Sequence, residues 1–595
     1  MKERPHIEAL LAEAGVSRYE ELHAWSVERS EEFWRAVRRY AELPEGEFNF
    51  AEVLLRRAGE GVALVYRDES GARREWSGVE LRRRVAGWSR WMRARGVGRG
   101  DRIVAVATNS PEAVGLMLAA VSLGAVWSSC SPDFGEGGIT DRFAQLAPKL
   151  VFAVREYGFA GKHYRLEEKM AGVMRRLGPG AELHWIEELP EGEEGGIDYV
   201  RQSGEAPLFI LFSSGTTGLP KCIVHSSGGT LAQIVKEHLF HVDLREGEKL
   251  FYYTTCGWMM WNWLVVGLAS GAGLVLYHGS PFYPDAGVLW RLVEEEGVEH
   301  CGLSAKYLAL LEKSGYRPGE RHELGRLRQV LSTGSPLLEG SFDYVCEAVK
   351  EDVQLASISG GTDIVSCFVL GHWLGRVRRG EMMGPGRGMD VQVWNEAGER
   401  VWDEPGELVC VNRFPSQPLG FWGDGDGSRY RKAYFERYGG GVWHHGDWAK
   451  QVSESGGFVI YGRSDTTLNP GGIRIGTAEI YRQVEVIEEV EESVVVGQAW
   501  GGDERIVLFV KTREGVELSE ELREKIRRLL REQASPHHVP KKILGVGGIP
   551  RTVSGKISEA AVREAVAGRV IGNLGALANP ESIKEFQGRR ELLED

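Results

Sequence analysis

A loop rich in small and hydroxyl-bearing residues is the part of the sequence that points most clearly to chemistry. It lies within LFILFSSGTTGLPKCIVH, residues 208–225, between two apolar runs typical of β-strands. Small residues let backbone N–H groups approach a polyanion, while hydroxyls and a lysine add donors and positive charge. The loop therefore predicts a phosphate site, with a flexible hairpin turn as the alternative. Its candidate ligand residues are Ser213, Ser214, Gly215, Thr216, Thr217, Gly218 and Lys221.

The residues around Lys221 exclude one well-known phosphate loop. A Walker A loop has the pattern GxxxxGK[ST] and opens a helix. Here Pro220 precedes Lys221, and the strand-like run CIVH follows it. We therefore expect a nucleotide loop of a different type from that of kinases and GTPases.

A second cluster, ISGGTDI at residues 358–364, follows an apolar run that begins at Val353. It joins two glycines, a hydroxyl and a carboxylate. Such a group fits either a turn that caps a helix or the rim of a ligand site. The residues alone leave both interpretations open.

Six motifs follow the loop in order: STGSP at Ser332, GGTD at Gly360, GELVC at Gly406, HHGDW at His444, YGRSDTTLNPGGIRIGTAEI at Tyr461 and PRTVSGKI at Pro550. Together with the loop they resemble the motifs of the acyl-adenylate-forming enzymes, which include acyl-CoA synthetases, firefly luciferases and the adenylation domains of peptide synthetases. The resemblance covers nearly the whole chain. It implies that a carboxylate attacks the α-phosphate of ATP, giving an acyl-AMP and pyrophosphate, and that a thiol then displaces AMP.

The resemblance implies roles for five residues on the nucleotide side. Thr362 matches a threonine that touches the α-phosphate, and Asp363 matches a glutamate that holds Mg²⁺. Because Asp363 is one methylene shorter, its contact with the metal is either direct after a small shift or through water. Asp447 matches the aspartate that accepts hydrogen bonds from both ribose hydroxyls, and Arg463 matches its ribose-side partner. Arg474 matches an arginine that forms paired hydrogen bonds with phosphate.

Other matches concern adenine and the reacting carboxylate. Gly334, Ser335 and Pro336 fall where the family backbone lines the adenine pocket. Lys556 matches the lysine that bridges the incoming carboxylate and the nucleotide, where it stabilises charge as the new bond forms. The resemblance therefore makes Lys556, Thr362 and Arg474 the catalytic candidates.

The family also implies a movement between two half-reactions. Lys556 lies in a small C-terminal domain, and relatives rotate that domain about a hinge residue that Asp465 matches. After rotation, the segment of Gly471 and Gly472 would approach the thiol tunnel. Arg531 resembles an arginine that contacts a phosphate of CoA, with an ordinary helix-surface arginine as the alternative.

The acid is predicted to bind near TTCGWMMWNW, residues 254–263, and the GGTD glycines. Large apolar walls at Trp258, Met259, Met260 and Trp261 suit a short acyl chain, and plain core packing is the alternative. Acetyl-specific relatives carry tryptophan at the position of Gly360, so Gly360 and its neighbour Gly361 predict room for a longer acid. The polar candidates for its far end are Asn262, Ser359 and Cys256.

These runs, with NPESIKEF at Asn579, resemble the family members that activate acetoacetate. The resemblance implies that acetoacetate, ATP and CoA give acetoacetyl-CoA, AMP and pyrophosphate, with Mg²⁺ as the metal cofactor. The alternatives are a butyryl or other short- to medium-chain acyl-CoA synthetase and a non-catalytic adenylate-binding protein. A module that loads a carrier protein is disfavoured because the chain carries no carrier or condensation domain.

The elements that position these residues follow an α/β pattern. From Arg102 onward, short β-rich runs alternate with helix-like segments such as residues 111–123 and 288–296, which predicts a mostly parallel sheet. After about Gly384 short strands predict a small β-barrel or antiparallel layer, and beyond Asp465 the order is helix, strand, strand, helix. We predict an N-terminal helical extension at residues 1–100, a large adenylate-forming domain at 101–464 and a mobile α+β domain at 465–595.

The composition excludes several other classes of protein. A formal net charge of −13, without a basic tail, argues against general nucleic-acid binding. Seven cysteines without a CxxC pair indicate reduced thiols, no zinc site and a cytoplasmic protein. The charged N-terminus lacks a secretory signal, and the uncharged residues 250–284 are too broken by glycine and proline for a membrane span. The sequence leaves a homo-oligomer possible.

Overall fold

The computed structural model describes residues 5–192, 195–213, 219–470, 475–500, 503–552, 555–571 and 574–594. Its helices are α1 Pro5–Ala14, α2 Tyr19–Glu28, α3 Ser30–Tyr40, α4 Phe50–Leu55, α5 Gly78–Ala94, α6 Pro111–Ser122, α7 Glu136–Phe143, α8 Glu167–Leu177, α9 Ser227–Glu237, α10 Met259–Val266, α11 Val288–Glu296, α12 Ala305–Ser314, α13 Glu339–Tyr344, α14 Ser428–Tyr434, α15 Thr477–Val484, α16 Glu520–Gln533 and α17 Glu559–Val566.

The strands are β1 Val62–Asp68, β2 Arg73–Ser77, β3 Arg102–Val106, β4 Val126–Cys130, β5 Leu150–Ala153, β6 Glu156–Phe159, β7 Lys162–Arg165, β8 Glu182–Trp185, β9 Pro207–Ser213, β10 Lys221–Ser226, β11 Lys249–Tyr252, β12 Gly273–His278, β13 His300–Ser304, β14 Gln329–Thr333, β15 Gln354–Ser357, β16 Ser359–Gly361, β17 Ser366–Leu370, β18 Gly384–Pro385, β19 Val391–Trp394, β20 Pro405–Cys410, β21 Gly420–Phe421, β22 Trp443–Gln451, β23 Phe458–Arg463, β24 Val490–Trp500, β25 Asp503–Thr512 and β26 Lys542–Gly545.

Two seven-stranded sheets form the frame of the large N-terminal part. The first has the order β15-β14-β13-β11-β12-β1-β2, and every neighbouring pair except β1 and β2 is parallel. The second has the order β21-β10-β9-β4-β3-β5-β8, parallel from β9 to β8, with β10 and β21 added antiparallel. The predicted alternation of strands and helices is confirmed.

Helix α6 shows how the sequence sets one of these layers. Ser110 caps its N-terminus by accepting the N–H of Ala113 at 3.4 Å, and Pro111 occupies the first turn, where a missing N–H costs nothing. Almost every residue of PEAVGLMLAAVS is buried. A helix that is apolar on all sides must be covered on all sides, so α6 lies inside the main core.

The uncharged run at residues 250–284 folds into β11, α10 and β12 and is largely buried in the same core. Across the described residues, no helix has both the length and the apolar character needed to cross a membrane. All seven cysteines carry free thiols, as their spacing predicted.

The remaining sheets are small. Strands β16, β17 and β18 form one antiparallel sheet, and β19, β20, β22 and β23 form another. The C-terminal part contains a three-stranded sheet, β24-β25-β26, packed with α15, α16 and α17. The predicted mixed α/β class, with a large N-terminal and a smaller C-terminal part, is confirmed.

The predicted domain limits and the mobility of the C-terminal domain remain predictions. The structure adds that residues 1–100 contain more than helices, because β1 and β2 complete one edge of the first sheet. That edge pairs β1 with β12, from Leu64 opposite Leu274 to Asp68 opposite His278.

Candidate active site

The structure describes the two ends of the predicted phosphate loop, at Ser213 and Lys221. Ser213 ends β9 and Lys221 begins β10, and the two residues are paired in the antiparallel ladder. Lys221 Nζ lies 5.4 Å from the ring centre of Tyr434 and 5.6 Å from that of Phe421. The predicted ligands Ser214, Gly215, Thr216, Thr217 and Gly218 lie outside the described residues.

The predicted adenine residues lie at the carboxyl end of the first sheet. Strand β14 ends at Thr333, directly before Gly334, Ser335 and Pro336. Thr333 Oγ1 donates a hydrogen bond to the carbonyl oxygen of Ile358 at 2.8 Å, which ties this loop to the end of β15. Ligands of open α/β sheets bind in the crevice beyond the carboxyl ends of the strands. STGSP and GGTD therefore share one edge, as a common ligand would require.

The two glycines of GGTD face different surroundings. A Cβ on Gly360 would lie 2.2 Å from the carbonyl oxygen of Ser366 and 2.5 Å from Cys367 Cα, both in the paired strand β17. A Cβ on Gly361 would make ordinary contacts, 3.6 Å from Asp363 Oδ2 and 3.7 Å from the His445 ring. Glycine at 360 is thus required by the backbone of β17, and a tryptophan could not enter without displacing that strand. The role of both glycines in the acid pocket remains a prediction.

The turn after these glycines holds Thr362 and Asp363 in a fixed shape. Within it the N–H of Val365 donates to the carbonyl oxygen of Thr362 at 3.4 Å. Val365 is fully buried and has a φ of 48°, a left-handed conformation that is unfavourable for a β-branched residue. Strain of this kind persists only where the surroundings impose it, and it concentrates at functional sites.

Asp363 is the centre of a charged cluster. Its Oδ1 accepts a hydrogen bond from the hydroxyl of Tyr434, whose ring is stacked on Trp443 with centres 3.9 Å apart. Burial raises the pKa of Asp363, but His445, Lys221 and the Tyr434 hydroxyl together outweigh burial and hold the pKa below its ordinary value. Asp363 is therefore a carboxylate at neutral pH, in keeping with a predicted role beside a cation.

Asp447 and Arg463 form the predicted ribose pair. They are register partners on β22 and β23, and Arg463 Nη1 lies 3.1 Å from Asp447 Oδ1. The same Nη1 donates to the carbonyl oxygen of His445 at 3.1 Å, and His445 Nε2 lies 3.6 Å from Asp447 Oδ2. The Asp447 side chain is 11% exposed and that of Arg463 is 49% exposed. Asp447 is thus oriented from two sides before any ligand arrives.

Lys556 comes to this cluster from the C-terminal part of the chain. Its loop is closed by two hydrogen bonds, from Thr552 N–H to Lys556 O at 2.8 Å and from Lys556 N–H to Thr552 Oγ1 at 3.1 Å. Loss of solvation lowers the pKa of Lys556 below its ordinary value; Asp447 and Asp363 counteract this effect and Arg463 adds to it. The ammonium group therefore lies within electrostatic range of the three charged residues predicted to face the nucleotide.

The remaining candidates for the phosphate, thiol, hinge and CoA roles are Arg474, Gly471, Asp465 and Arg531. Arg474 and Gly471 lie outside the described residues, and so does Gly472. Arg531 lies in the last turn of α16 with an exposed side chain. Asp465 lies in a 3₁₀ turn directly after β23, where its carbonyl oxygen accepts a hydrogen bond from Arg563. The hinge role of Asp465 and the CoA contacts remain predictions.

The predicted walls of the acid pocket are set by α10. Met259, Met260 and Trp261 are buried in the main core, while Trp258 precedes the helix and is partly exposed. Trp261 Nε1 donates to Asn109 Oδ1 at 3.1 Å, which fixes the indole. Core packing accounts for these three buried side chains, and their contact with the acid remains a prediction.

Asn262 differs from the other polar candidates on this side. Cys256 Sγ donates to the carbonyl oxygen of Thr108 at 3.1 Å, and Ser359 belongs to the edge strand β16. Asn262 is 1% exposed, and neither its Oδ1 nor its Nδ2 has a hydrogen-bond partner among the described residues. A buried amide without partners costs about 1–3 kcal/mol, so Asn262 has hydrogen-bonding capacity that a polar ligand atom or a water could use, and its contact with the acid remains a prediction.

Glu237 makes buried contacts between elements of the candidate site that sequence reasoning missed. It is fully buried at the end of α9, where Oε2 accepts Trp263 Nε1 of α10 at 2.8 Å. Its Oε1 accepts the hydroxyl of Ser366 and, at 3.4 Å, the N–H of Cys367 in β17. One carboxylate thus joins the helix of the predicted acid wall to the hairpin that carries GGTD. Nothing in the local pattern of α9 distinguishes Glu237 from a surface glutamate, and Tyr434 was missed for the same reason.

Comparison with known proteins identifies the family of this chain. A sequence model of the AMP-binding enzyme family matches residues 51–414, and a model of the AMP-binding enzyme C-terminal domain matches residues 484–556. The chain is 50% identical over 613 residues to acetoacetyl-coenzyme A synthetase of Rhizobium meliloti (strain 1021), covering 96% of this chain and 94% of the relative. It is 42% identical to acetoacetyl-CoA synthetase of Gallus gallus, covering 97% of this chain and 94% of the relative.

A solved structure is similar to this chain over nearly its whole length. Acetoacetyl-CoA synthetase from Streptomyces lividans superposes with a TM-score of 0.92 at 36% identity, covering 98% of this chain and 97% of that one. The shared motifs, fold and extent lead to one conclusion. The chain belongs to the AMP-binding enzyme family, in the branch of the acetoacetyl-CoA synthetases.

Proposed function

We propose that this protein ligates acetoacetate to CoA at the expense of ATP. Acetoacetate attacks the α-phosphate, forming acetoacetyl-AMP and releasing pyrophosphate. The thiol of CoA then attacks the acyl carbon of this adenylate, forming acetoacetyl-CoA and releasing AMP. The relatives named above support the choice of acid, and family membership supports ATP and CoA as the other substrates.

The observation that carries this proposal is the convergence of charged groups from both parts of the chain. Asp363, Asp447 and Arg463 come from the large part, and Lys556 comes from the small part. A protein that only bound an adenylate would have no need of a lysine delivered from a second unit. Adenylation does need one, because negative charge builds up where a carboxylate meets a phosphate.

In the first half-reaction the residues hold the nucleotide and offset charge. Asp447, oriented by Arg463, accepts the two ribose hydroxyls, and the loop from Ser213 to Lys221 surrounds the phosphates. Thr362 and Arg474 contact the α-phosphate. Lys556 lies between the carboxylate of acetoacetate and the α-phosphate, lowering the repulsion between the two anions as they approach. Proton transfer is not required of any side chain in this step.

The donor set fits Mg²⁺ bound through a single protein ligand. Among the described residues, no group of three or more His, Cys, Asp or Glu side chains could hold a metal ion. Mg²⁺ is commonly held by one or two carboxylates together with substrate phosphates and water, and Asp363 offers a charged, partly exposed carboxylate. Asp363 would hold the ion, which would neutralise part of the charge of the polyphosphate.

Thioester formation requires other residues. In our proposal the small domain turns at Asp465, which withdraws Lys556 and brings the segment of Gly471 toward the thiol. Arg531, exposed on α16, would then contact a phosphate of CoA. The sequence resemblance to the family supports this step.

Acid selection is assigned to Asn262 and the walls around it. Acetoacetate differs from butyrate by one keto oxygen, which needs a hydrogen-bond donor when buried. Asn262 Nδ2 is such a donor, and it has no other partner among the described residues. Met259 and Met260 in the first turn of α10, and Trp258 just before it, would offer apolar surface to the methylene and methyl groups.

A panel of acids tests the function directly. Pyrophosphate release with ATP and Mg²⁺ should be fastest with acetoacetate, slower with malonamate, which keeps the carbonyl but ends in an amide, and much slower with butyrate and acetate. Equal rates with butyrate and acetoacetate would favour a general short-chain synthetase. Failure to form an acyl-AMP from any acid would favour an adenylate-binding protein instead.

A further inference from the structure

The small C-terminal part is held against the large part by two lysines of α12. Lys306 Nζ lies 2.9 Å from Glu492 Oε1 in β24, and the two side chains are only 22% and 14% exposed. Lys313 Nζ, two turns further along the helix, lies 3.3 Å from the carbonyl oxygens of Val490 and Glu491. Helix α12 therefore contacts the first residues of β24 through one side-chain pair and one pair of backbone contacts.

Glu492 also binds a second cation, this time within the small domain. Arg551 Nη2 lies 2.9 Å from the same Oε1 that accepts Lys306. Arg551 Nη1 donates to the carbonyl oxygen of Gly555 at 2.6 Å. Gly555 directly precedes Lys556. A continuous series of polar contacts thus runs from Lys306 through Glu492 and Arg551 to the loop of the catalytic lysine.

Glu492, the carboxylate at the centre of this series, keeps its negative charge with the help of both cations, Lys306 and Arg551. Burial raises the pKa of Glu492, whereas Arg551 and Lys306 lower it, and the net result is a pKa below the ordinary value. A partly buried carboxylate of this kind is stable only while its partners remain. If Lys306 is lost, Arg551 alone must balance Glu492, and the series from Glu492 through Arg551 to the Gly555 carbonyl is no longer tied to α12 of the large part.

The same contacts distinguish the two orientations of the small domain. Lys306 belongs to the large part, whereas Glu492 and Arg551 belong to the small part, so within this series domain rotation breaks the Lys306–Glu492 pair and leaves the Glu492–Arg551 pair intact. The contacts of Lys313 with Val490 and Glu491 cross the same boundary and would break with it. In the orientation described here Lys556 lies within electrostatic range of Asp447 and Asp363. The Lys306–Glu492 pair therefore forms in the orientation that suits adenylation.

We infer that Lys306 and Glu492 are positioning residues for adenylation, which place Lys556 through Arg551 when the small domain is docked. The inference rests on the proposed function, because it assigns Lys556 to the first half-reaction. Neither residue touches a substrate. Their effect is confined to the step in which the lysine must be in place.

The test separates the two half-reactions in Lys306→Met. We expect ATP–pyrophosphate exchange with acetoacetate to fall about 10-fold, since a desolvated ion pair of good geometry is worth at least one order of magnitude in an equilibrium. Formation of acetoacetyl-CoA from supplied acetoacetyl-AMP and CoA should stay within about two-fold of wild type. Lys306→Arg should restore exchange, because the guanidinium can still pair with Glu492.

A matched control uses an ion pair inside the small domain. Lys525 Nζ lies 2.8 Å from both carboxylate oxygens of Glu489, and neither residue belongs to the contact with α12. Lys525→Met should leave both half-reactions unchanged. Glu492→Gln provides a second variant in case Lys306→Met folds poorly, and it should reproduce the selective loss of exchange.

The inference would be overturned if Lys306→Met and Glu492→Gln exchanged pyrophosphate at the wild-type rate, or if both half-reactions slowed equally. Absence of exchange in the wild-type protein would overturn the proposed function instead. A double variant gives one more measure. Lys306→Met combined with Glu492→Gln should lose no more exchange than Glu492→Gln alone, because Glu492→Gln already removes the Lys306 contact together with the Arg551 contact.

Discussion

The predicted nucleotide side and the predicted acid side of the site are built in opposite ways. On the nucleotide side, charged groups already contact one another: Tyr434 donates to Asp363, and Arg463 pairs with Asp447 at 3.1 Å. On the acid side, α10 presents buried apolar surface and one amide, Asn262, without a partner among the described residues. One half of the site is satisfied before a ligand binds, and the other has an unused hydrogen-bonding group.

This difference matches the two tasks. Phosphate chemistry is the same for every acid, so its charges are best fixed in advance, which avoids reorganisation during the reaction. Selectivity among acids depends on how much interaction free energy is lost when the wrong acid binds. A site that hydrogen-bonds a substrate group rejects analogues without it far better than a purely apolar pocket does. In the proposed function, the molecule thus combines fixed electrostatics on the nucleotide side with a selective, uncharged acid side.

The largest effect should follow removal of the lysine on the charged side. Lys556→Ala should lower ATP–pyrophosphate exchange by roughly 10²-fold or more, since one group that stabilises transition-state charge contributes about 2.7–4 kcal/mol. Thioester formation from supplied acetoacetyl-AMP should continue. Exchange at the wild-type rate would show that Lys556 does not act in adenylation.

A smaller effect should follow neutralisation of Asp363. Asp363→Asn keeps the shape of the side chain but removes the charge, so the Mg²⁺ concentration needed for half-maximal adenylation should rise about 10-fold or more. Tyr434→Phe keeps the carboxylate and is the matched control, with a change of only a few-fold. If Asp363→Asn leaves the Mg²⁺ requirement unchanged, the ion is held elsewhere.

Between the two sides lies Glu237, and its replacement should affect the acid more than the nucleotide. Glu237→Gln cannot accept from Trp263, Ser366 and the Cys367 N–H as the carboxylate does, so α10 and β17 should lose their fixed spacing. We expect KM for acetoacetate to rise about 10-fold, with KM for ATP within about two-fold of wild type.

The control for Glu237 is a buried glutamate far from the site. Glu296 is held by Arg67, Arg73 and Lys249 near one edge of the first sheet. Glu296→Gln should lower the melting temperature without changing either KM. A parallel rise of both KM values in Glu237→Gln would mean that Glu237 only stabilises the fold.

Whether the sequence could predict a contact depends on how far apart the two contacting residues lie in the sequence. Lys556, Asp447 and Arg463 lie in short ordered motifs, and the structure brings them within electrostatic range of one another. The contacts of Glu237 join residues 26 and 129 positions apart, and no local pattern reports such contacts. Gly360 shows a third case. Its missing side chain was predicted to make room for the acid, but the backbone of Ser366 and Cys367 in the paired strand gives an independent reason for glycine.

The fold itself was largely predictable because it depends on local periodicity. The alternation of strands and helices after Arg102 predicted the class and helices at residues 111–123 and 288–296, and the structure has these helices at 111–122 and 288–296. The order of strands within the two large sheets could not be predicted in this way. It places β1, from the N-terminal region, beside β12, more than two hundred residues later.

One measurement tests the central comparison most directly: the ratio of adenylation rates with acetoacetate and butyrate in wild type and in Asn262→Leu. Leucine has nearly the same size but cannot donate to a keto oxygen. If the acid side selects through this amide, the ratio should fall roughly 10- to 100-fold, corresponding to about 1–3 kcal/mol, while KM for ATP stays unchanged. An unchanged ratio, or an equal loss with both acids, would contradict the account.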